Sequence, residues 1–350
     1  MNILITGGNG FIGTNFIKRI NSENTFNKII NLDNNSYSSN LNNLKDLNNK
    51  NYFAIEDDIK NHTTVKNLLN EYDINLVVHF AAESHVDKSI TNPDQFIQTN
   101  IVGTYTLVEE CRKYIDINSN KNFKFIHVST DEVYGSLKKL DRSFLETDPY
   151  LPNSPYAASK ASSDLIVRSY YQTYKFPAII TNCSNNYGPF QYPEKLVPLV
   201  INNCLIEKRI PIYGDGKQIR DWLHVDDHCD ALLHLIQGGQ IGEKYNIGGG
   251  KEIENLELVK LICKTMDEIK PRKDGKYEEL ISFVKDRPGH DRRYSINHTK
   301  IMNELNWKPS IKFDLGMRET ILWYLENQRW IDNTTNENYN YWIKNNYEDR

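Results

Sequence analysis

Six short, mostly apolar runs punctuate the first half of the chain, at residues 2–6, 28–32, 52–55, 76–80, 123–128 and 178–183. Runs of four to six residues without strict alternation fit strands buried on both faces. Between several of them lie longer stretches with apolar residues three and four apart, at 11–20, 64–72, 93–114 and 156–174. That spacing predicts helices with one packed face. Pro155 suits the first turn of the last of these helices. Strands alternating with helices predict an α/β fold built on a doubly wound parallel sheet.

The pattern changes after residue 183. Residues 185–189, 193–198 and 211–216 are loop-rich and aromatic. Residues 220–228 lead into a helix through Ile236, and Lys244–Ile247 is a short strand before three consecutive glycines. Residues 286–294 form a basic loop. The expected division is a Rossmann-type domain over 1–184, joined by about 224–248, and a smaller mixed domain over 185–223 and 249–330. The Asn- and Tyr-rich stretch 331–350 has no assignable pattern.

A length of 350 residues fits about two domains. A net charge of −4 offers no basic footprint for nucleic acid. No apolar run approaches the roughly 20 residues of a membrane span. Met1 to Ile5 runs straight into a Gly-rich turn with no basic leader, so a signal peptide is not expected. The five cysteines are scattered, with no C-x-x-C pair. That fits reduced thiols and a cytoplasmic location. His79 and His85 read as a strand-packed and a loop histidine, and no metal site is expected.

Gly7, Gly10 and Gly13 form a G-x-x-G-x-x-G turn between the first strand and the first helix, running through Phe11 and Ile12. In such a turn the first glycine allows the tight bend, the second lets a pyrophosphate approach, and the third packs helix on strand. Asp33 ends the second strand 20 residues past Gly13, the spacing of a carboxylate on an adenosine ribose. Such a carboxylate accepts from both ribose hydroxyls and repels a 2′-phosphate, which favours NAD over NADP. Asp58 and Ile59 follow the third strand and are candidates for the adenine edge. Ala81 and Ala82 follow the fourth, where small residues let a cofactor lie close.

Ser129-Thr-Asp-Glu132 ends the fifth strand, and Tyr156 and Lys160 lie four apart on the helix that follows. They share one helix face. Tyrosine has a pKa of about 10, and a nearby ammonium together with a nicotinamide ring favours the phenolate. Tyr156 can then take a hydroxyl proton as hydride leaves the same carbon. Oxidation needs only Tyr156 and Thr130. Two further acids, Asp131 and Glu132, imply acid–base work on neighbouring carbons, namely elimination of water from a hexose. Consecutive side chains at a strand end diverge, so the two acids can reach different atoms.

These stretches resemble the nucleotide-sugar 4,6-dehydratases of the extended short-chain dehydrogenase/reductase family. The matching motifs are Thr6-Gly-Gly-Asn-Gly-Phe-Ile-Gly13, Ala81-Ala-Glu-Ser-His-Val-Asp87, Ser129-Thr-Asp-Glu-Val-Tyr-Gly135 and Tyr156-Ala-Ala-Ser-Lys-Ala-Ser-Ser-Asp164. Later ones are Ser184-Asn-Asn-Tyr-Gly-Pro189, Pro193-Glu-Lys-Leu-Val-Pro198, Arg220-Asp-Trp-Leu223, Tyr245-Asn-Ile-Gly-Gly249 and Asp286-Arg-Pro-Gly-His-Asp-Arg-Arg293. They reach to about residue 325. His224 stands where the family usually has tyrosine.

The resemblance implies a tightly bound NAD regenerated each turnover and a dTDP- or UDP-glucose substrate. It gives Tyr156 the 4-hydroxyl proton, with Thr130 assisting and Lys160 on the nicotinamide ribose. It gives Glu132 the carbon 5 proton and Asp131 the leaving 6-hydroxyl. Asn185, Arg220 and Arg287 become diphosphate contacts. Lys195, Leu196, Val197, Pro211 and Tyr213 become the nucleobase pocket, with Ser84, Asn255 and His290 also on the substrate. A homodimer through the helices at 93–114 and 156–174 is implied as well. The related 4-epimerases keep the tyrosine and lysine but lack the acid pair. A non-catalytic NAD-binding protein is the other alternative, against which the intact Tyr156 and Lys160 stand.

Overall fold

The computed structural model describes residues 1–47, 50–118, 122–335, 339 and 343. β1 (Asn2–Thr6), α1 (Phe11–Ser22), β2 (Lys28–Asp33), β3 (Tyr52–Glu56), α2 (His62–Glu71) and β4 (Leu76–His79) open the chain. α3 (Val86–Thr91), α4 (Pro93–Phe96), α5 (Thr104–Asn118), β5 (Lys124–Thr130), α6 (Pro155–Tyr174) and β6 (Ala178–Cys183) follow. Then come β7 (Asn185–Tyr187), α7 (Leu196–Leu205), β8 (Ile210–Tyr213), β9 (Ile219–His224), α8 (Val225–Gly238) and β10 (Lys244–Ile247). β11 (Glu252–Glu254), α9 (Asn255–Ile269), β12 (Ile281–Val284), α10 (Thr299–Leu305), α11 (Phe313–Glu326) and α12 (Gln328–Thr334) complete it.

Seven strands form one sheet in the order β10-β6-β5-β4-β1-β2-β3, and every pairing is parallel. Alternate residues of each strand face opposite sides. Ile3 and Ile5 join Phe16, Ile17 and Ile20 of α1 and Leu232 and Leu235 of α8. Leu4 joins Val65 and Leu69 of α2 and Leu107 and Val108 of α5 on the other face. Both faces are therefore covered, which explains the continuous apolar strands. The chain order reverses between β1 and β4, and a crevice opens there at the strands' carboxyl ends.

The pattern predicts one helix over 93–114, but the structure divides it. α4 passes into a π-helical segment, Ile97–Gly103, before α5. The wider turn carries Asn100 inward. Its side-chain oxygen accepts from the Glu83 N–H at 2.8 Å, and its amide donates to the Glu83 carbonyl and Ser159 Oγ at 3.0 and 2.8 Å. Three buried hydrogen bonds stabilise a register that local propensity would not choose.

The second lobe has more regular structure than its loop-like sequence predicts. Residues 193–198 lead directly into α7, with Pro198 in its first turn, where its missing N–H costs no helical bond. Pro211 lies in β8, which pairs only with β12, and proline is tolerated at such edges. β9 precedes α8 and sits between β11 and β7. These elements close over Val200, Trp222, Leu258, Ile262 and Ile321. Residues 331–334, left without a pattern, continue α12, and Ile331 enters that core. The rest of the 331–350 tail, apart from residues 335, 339 and 343, lies outside the described residues.

Candidate active site

The Gly-rich turn after β1 is shaped by backbone contact. Gly7 has φ +74°, and a Cβ there would stand 2.6 Å from the Ala81 nitrogen. A Cβ on Gly13 would stand 2.4 Å from the Gly7 oxygen, so α1 packs this closely only with glycine. A Cβ on Gly10 would meet only the Gly7 oxygen, at 3.3 Å. Gly10 caps α1 without a side-chain bond, and the first N–H groups of the helix are left to a ligand. Phe11, Ile12, Ile59, Ala81 and Ala82 line the same cleft.

Asp33 is buried in this cleft. Its carboxylate accepts from the Asn9 and Asn35 N–H groups and from Ser39 Oγ, each at 2.9 Å. A carboxylate has about four acceptor sites, so three protein donors leave room for one further strong bond. Asp57 lines the cleft beside Ile59. Asp58 instead accepts the Lys60 N–H at 2.9 Å and pairs with the Lys60 ammonium at 3.5 Å.

The reaction end is built where β5 stops. Asp131–Tyr134 is a 3-10 turn capped by Thr130, whose Oγ1 accepts from the Glu132 N–H at 3.3 Å. The turn, rather than strand alternation, separates Asp131 from Glu132. Thr130 Oγ1 also donates to Asp131 Oδ1 at 3.4 Å, while Asp131 Oδ2 is buried with no partner among the described residues. Burial raises Asp131 well above the usual carboxylate range, and Glu132 and Asp221 reinforce it. Burial also raises Glu132, but Arg287, Arg220 and Lys195 oppose that rise. The two neighbours therefore differ in degree: like charges add to the burial of Asp131 against Arg220 alone, whereas three cations oppose the burial of Glu132.

Tyr156 and Lys160 approach the same point from the first turns of α6, and both line the cleft. Lys160 Nζ donates to the Val128 carbonyl at 2.9 Å. The phenol does not behave as sequence alone predicts. Burial raises it well above its usual value, and Glu132, Cys183 and Asp131 add to that, against a lowering from Thr130. Burial is the largest cause of that rise, and the neighbouring acids act in the same direction. An ammonium at Lys160, one helical turn away, and the positive charge of an oxidised nicotinamide are the influences that favour the phenolate.

The other predicted substrate residues divide between cleft and lobe. Ser84, Asn185 and Lys195 line the cleft, and Lys195 Nζ donates to the Ser84 carbonyl at 2.8 Å. Leu196 and Val197 begin α7, and the Val197 side chain is buried in the second lobe's core. Arg220 stacks on Tyr294 at 4.2 Å and donates to the Ile219 and Asp291 carbonyls. Arg287 reaches Asp87 at 3.5 Å, and Tyr213 donates to that carboxylate at 3.4 Å. The ring of Tyr213 meets His290 edge-on. Pro211 lies on the same strand as Tyr213, and Asn255 opens α9. Asn185 Oδ1, Asn255 Oδ1 and Arg287 Nε are buried without partners among the described residues. Three orphaned polar atoms on three predicted substrate residues fit a polar ligand lying between the lobes.

The sequence model of the GDP-mannose 4,6-dehydratase family matches residues 4–320. A dTDP-glucose 4,6-dehydratase of Escherichia coli is 48% identical over 362 aligned positions, covering all of both chains. The chain belongs to the dTDP-glucose 4,6-dehydratase family. The Bacillus anthracis dTDP-glucose 4,6-dehydratase, solved in complex with NAD, matches with a TM-score of 0.85 and 45% identity over 95% of this chain and 99% of that one. The Streptomyces venezuelae dTDP-glucose 4,6-dehydratase, solved with NAD bound, gives 0.88 and 40% over 95% of this chain and all of that one.

Several residues of this dehydratase site carry no motif of their own. Asp87 and Glu194 are buried acids at the lobe junction. Glu194 accepts from Tyr37 at 2.9 Å and pairs with Lys88 at 3.1 Å. Tyr294 stands 3.5 Å from Glu132 and 2.5 Å from Asp291. Asp87 and Glu194 lie inside quoted motifs, but nothing in spacing distinguishes them from ordinary surface acids, and Tyr294 lies just past the end of one.

Proposed function

We propose that this chain is an NAD-dependent dTDP-glucose 4,6-dehydratase, a hydro-lyase that forms a 4-keto-6-deoxy sugar. The Gly7–Gly13 turn and Asp33 would hold NAD, which when bound would supply the two-electron chemistry for oxidation at carbon 4 and reduction at carbon 6. Tyr156 takes the 4-hydroxyl proton, with Thr130 beside the same oxygen and Lys160 on the nicotinamide ribose. The resulting ketone acidifies the carbon 5 proton, which Glu132 removes. Asp131 gives its proton to the 6-hydroxyl, which leaves as water. When carbon 6 is reduced, Glu132 returns its proton to carbon 5. The proton gained by Tyr156 balances the one given up by Asp131, and one proton lost to solvent by Tyr156 and one regained from it by Asp131 restore the starting charges.

The observation that carries this reading is the asymmetry between the two acids. Burial and like charges raise Asp131 well above the usual carboxylate range, with Arg220 opposing, whereas three cations, Arg287, Arg220 and Lys195, oppose the burial of Glu132. A 4-epimerization needs neither group. Glu132→Gln is expected to lower exchange of the carbon 5 proton with solvent deuterium by about 10²–10⁴-fold, the usual worth of a general base. Exchange at the normal rate in this variant would remove that role from Glu132.

Arg220, Arg287 and Asn185 are assigned to the diphosphate, where guanidinium forks suit paired oxygens. Residues 1–184 with 224–248 are assigned to cofactor binding and the rest of the second lobe to the nucleotide sugar. The sharing of β10 and α8 with the first lobe supports that division. A homodimer is assigned through the α4–α5 and α6 helices. Ile97, Val102, Tyr105 and Leu165 are exposed there, and sedimentation at twice 40.8 kDa is the expected result; a monomer would contradict it. A cytoplasmic location is supported by five buried, unpaired cysteines. No helix of the described residues is long and apolar enough to cross a membrane.

A further inference from the structure

Beneath Tyr156 and Lys160 lies a buried polar layer that the proposed chemistry does not use. Asp164 sits one helical turn beyond Lys160 on α6 and is 1% exposed. Residues four apart share a helix face, so Asp164 continues the line from Tyr156 through Lys160. Its Oδ2 accepts from Tyr150 Oη at 2.9 Å and from Asn182 Nδ2 at 3.1 Å. Asn182 Nδ2 also donates to the Thr130 carbonyl at 3.1 Å. One amide thus ties Asp164 to the strand end that carries Thr130, Asp131 and Glu132.

A carboxylate this deeply buried needs a compensating charge. His127 Nε2 stands 3.1 Å from Asp164 Oδ1, but burial holds that imidazole neutral at physiological pH. Other groups surround the pair. His79 of β4 is also held neutral by burial. Cys183 of β6 is a thiol pushed up to about 12. Tyr134 and Tyr150 are raised phenols. Lys244 of β10 is half-buried, pushed down to about 8, and stacks over the Tyr150 ring at 4.3 Å. Ser129 of β5 and Asn182 of β6 are uncharged. Two cations therefore remain for one carboxylate: Lys160 on the cleft side and Lys244 on the outer side.

We propose that Asp164 is a positioning residue for the oxidation step, the buried counter-charge that keeps Lys160 an ammonium beneath Tyr156, with Tyr150 and Asn182 fixing its orientation. This rests on the roles proposed for Tyr156 and Lys160. Burial drives Lys160 toward its neutral form, and Asp164 is the carboxylate opposing it. A neutral Lys160 would keep its place but lose the charge that favours the tyrosinate. Asp164 touches neither ligand nor cleft. It acts through the lysine.

The test is the pH profile of kcat/KM for dTDP-glucose in Asp164→Asn. The ammonium loses its proton at lower pH once the carboxylate is gone. The alkaline limb should therefore move toward neutral by about one to three pH units, the usual effect of one close counter-charge. The same displacement is expected in a Lys244→Met background, which removes the other cation that titrates in that range. A uniform loss of kcat with an unmoved limb would overturn the proposal and leave Asp164 a purely structural residue. If Asp164→Asn does not fold, Lys160→Met/Asp164→Asn should recover folding, because the buried charge has been removed from both partners. Failure of the double variant to recover it would also overturn the proposal. Lys160→Met alone separates the two levels. Unchanged kcat/KM in that variant would reject the role of the lysine itself, whereas a loss there with an unmoved limb in Asp164→Asn would reject only this inference.

Discussion

At the scale of single residues, the site works by giving like groups unlike surroundings. Asp131 and Glu132 are adjacent in sequence, yet acids mainly add to the burial of the first while three cations oppose that of the second. Burial and those same acids raise the Tyr156 phenol, so its activation depends on positive charge, from the Lys160 ammonium and from an oxidised nicotinamide. Tyr156→Phe should lower hydride transfer by about 10²–10⁴-fold while leaving NAD bound, as read by rapid-mixing absorbance of the reduced nicotinamide; an unchanged transient would reject the base assignment. The residues that do this chemistry are legible in the sequence. Thr130-Asp-Glu132 and the Tyr156–Lys160 pair stand at predictable places, a strand end and a helix face. Asp164 is quoted within the same motif but shows no sign of its function, because a counter-charge is defined by burial and neighbours rather than by spacing.

At the scale of elements, the first half of the chain was readable because each strand is apolar on both faces and each helix on one. The π-helical Ile97–Gly103 segment was not, since its register is set by Asn100 meeting Glu83 and Ser159, contacts remote in sequence. α7 and β8 were hidden by Pro198 and Pro211, which sit where a missing N–H is harmless. α12 was hidden because it is only seven residues long and runs into the Asn-rich sequence that follows it. The Gly-rich turn gives the sharpest test at this scale. Gly13→Ala would set a methyl 2.4 Å from the Gly7 oxygen and 2.7 Å from the Gly8 Cα. Backbone cannot yield there without moving α1 off the turn. Saturating NAD at 100 times its Kd should stabilise the unmodified protein by about 2.7 kcal/mol. The alanine variant should lose most of that gain in a thermal melt, and a full NAD-dependent rise in Tm would contradict the role given to Gly13.

At the scale of the whole molecule, function depends on two lobes closing around one crevice. The parallel sheet supplies the dinucleotide cradle and the reactive strand end. The second lobe supplies Arg220 and Arg287, which oppose the burial of Glu132 across the junction. Asn185 lines the crevice and Arg287 reaches Asp87 across the junction, each with a buried polar atom left without a partner among the described residues, which fits the diphosphate contact proposed for them. The central claim is that one hydride leaves carbon 4 and returns to carbon 6 of the same sugar while water is lost between carbons 5 and 6. Its most direct test is turnover of dTDP-glucose deuterated at carbon 4, with the product read by proton and deuterium NMR. Deuterium in the 6-methyl group of a 4-keto sugar is the predicted result. Deuterium returned to carbon 4 of an epimerized, still hydroxylated sugar would contradict the account.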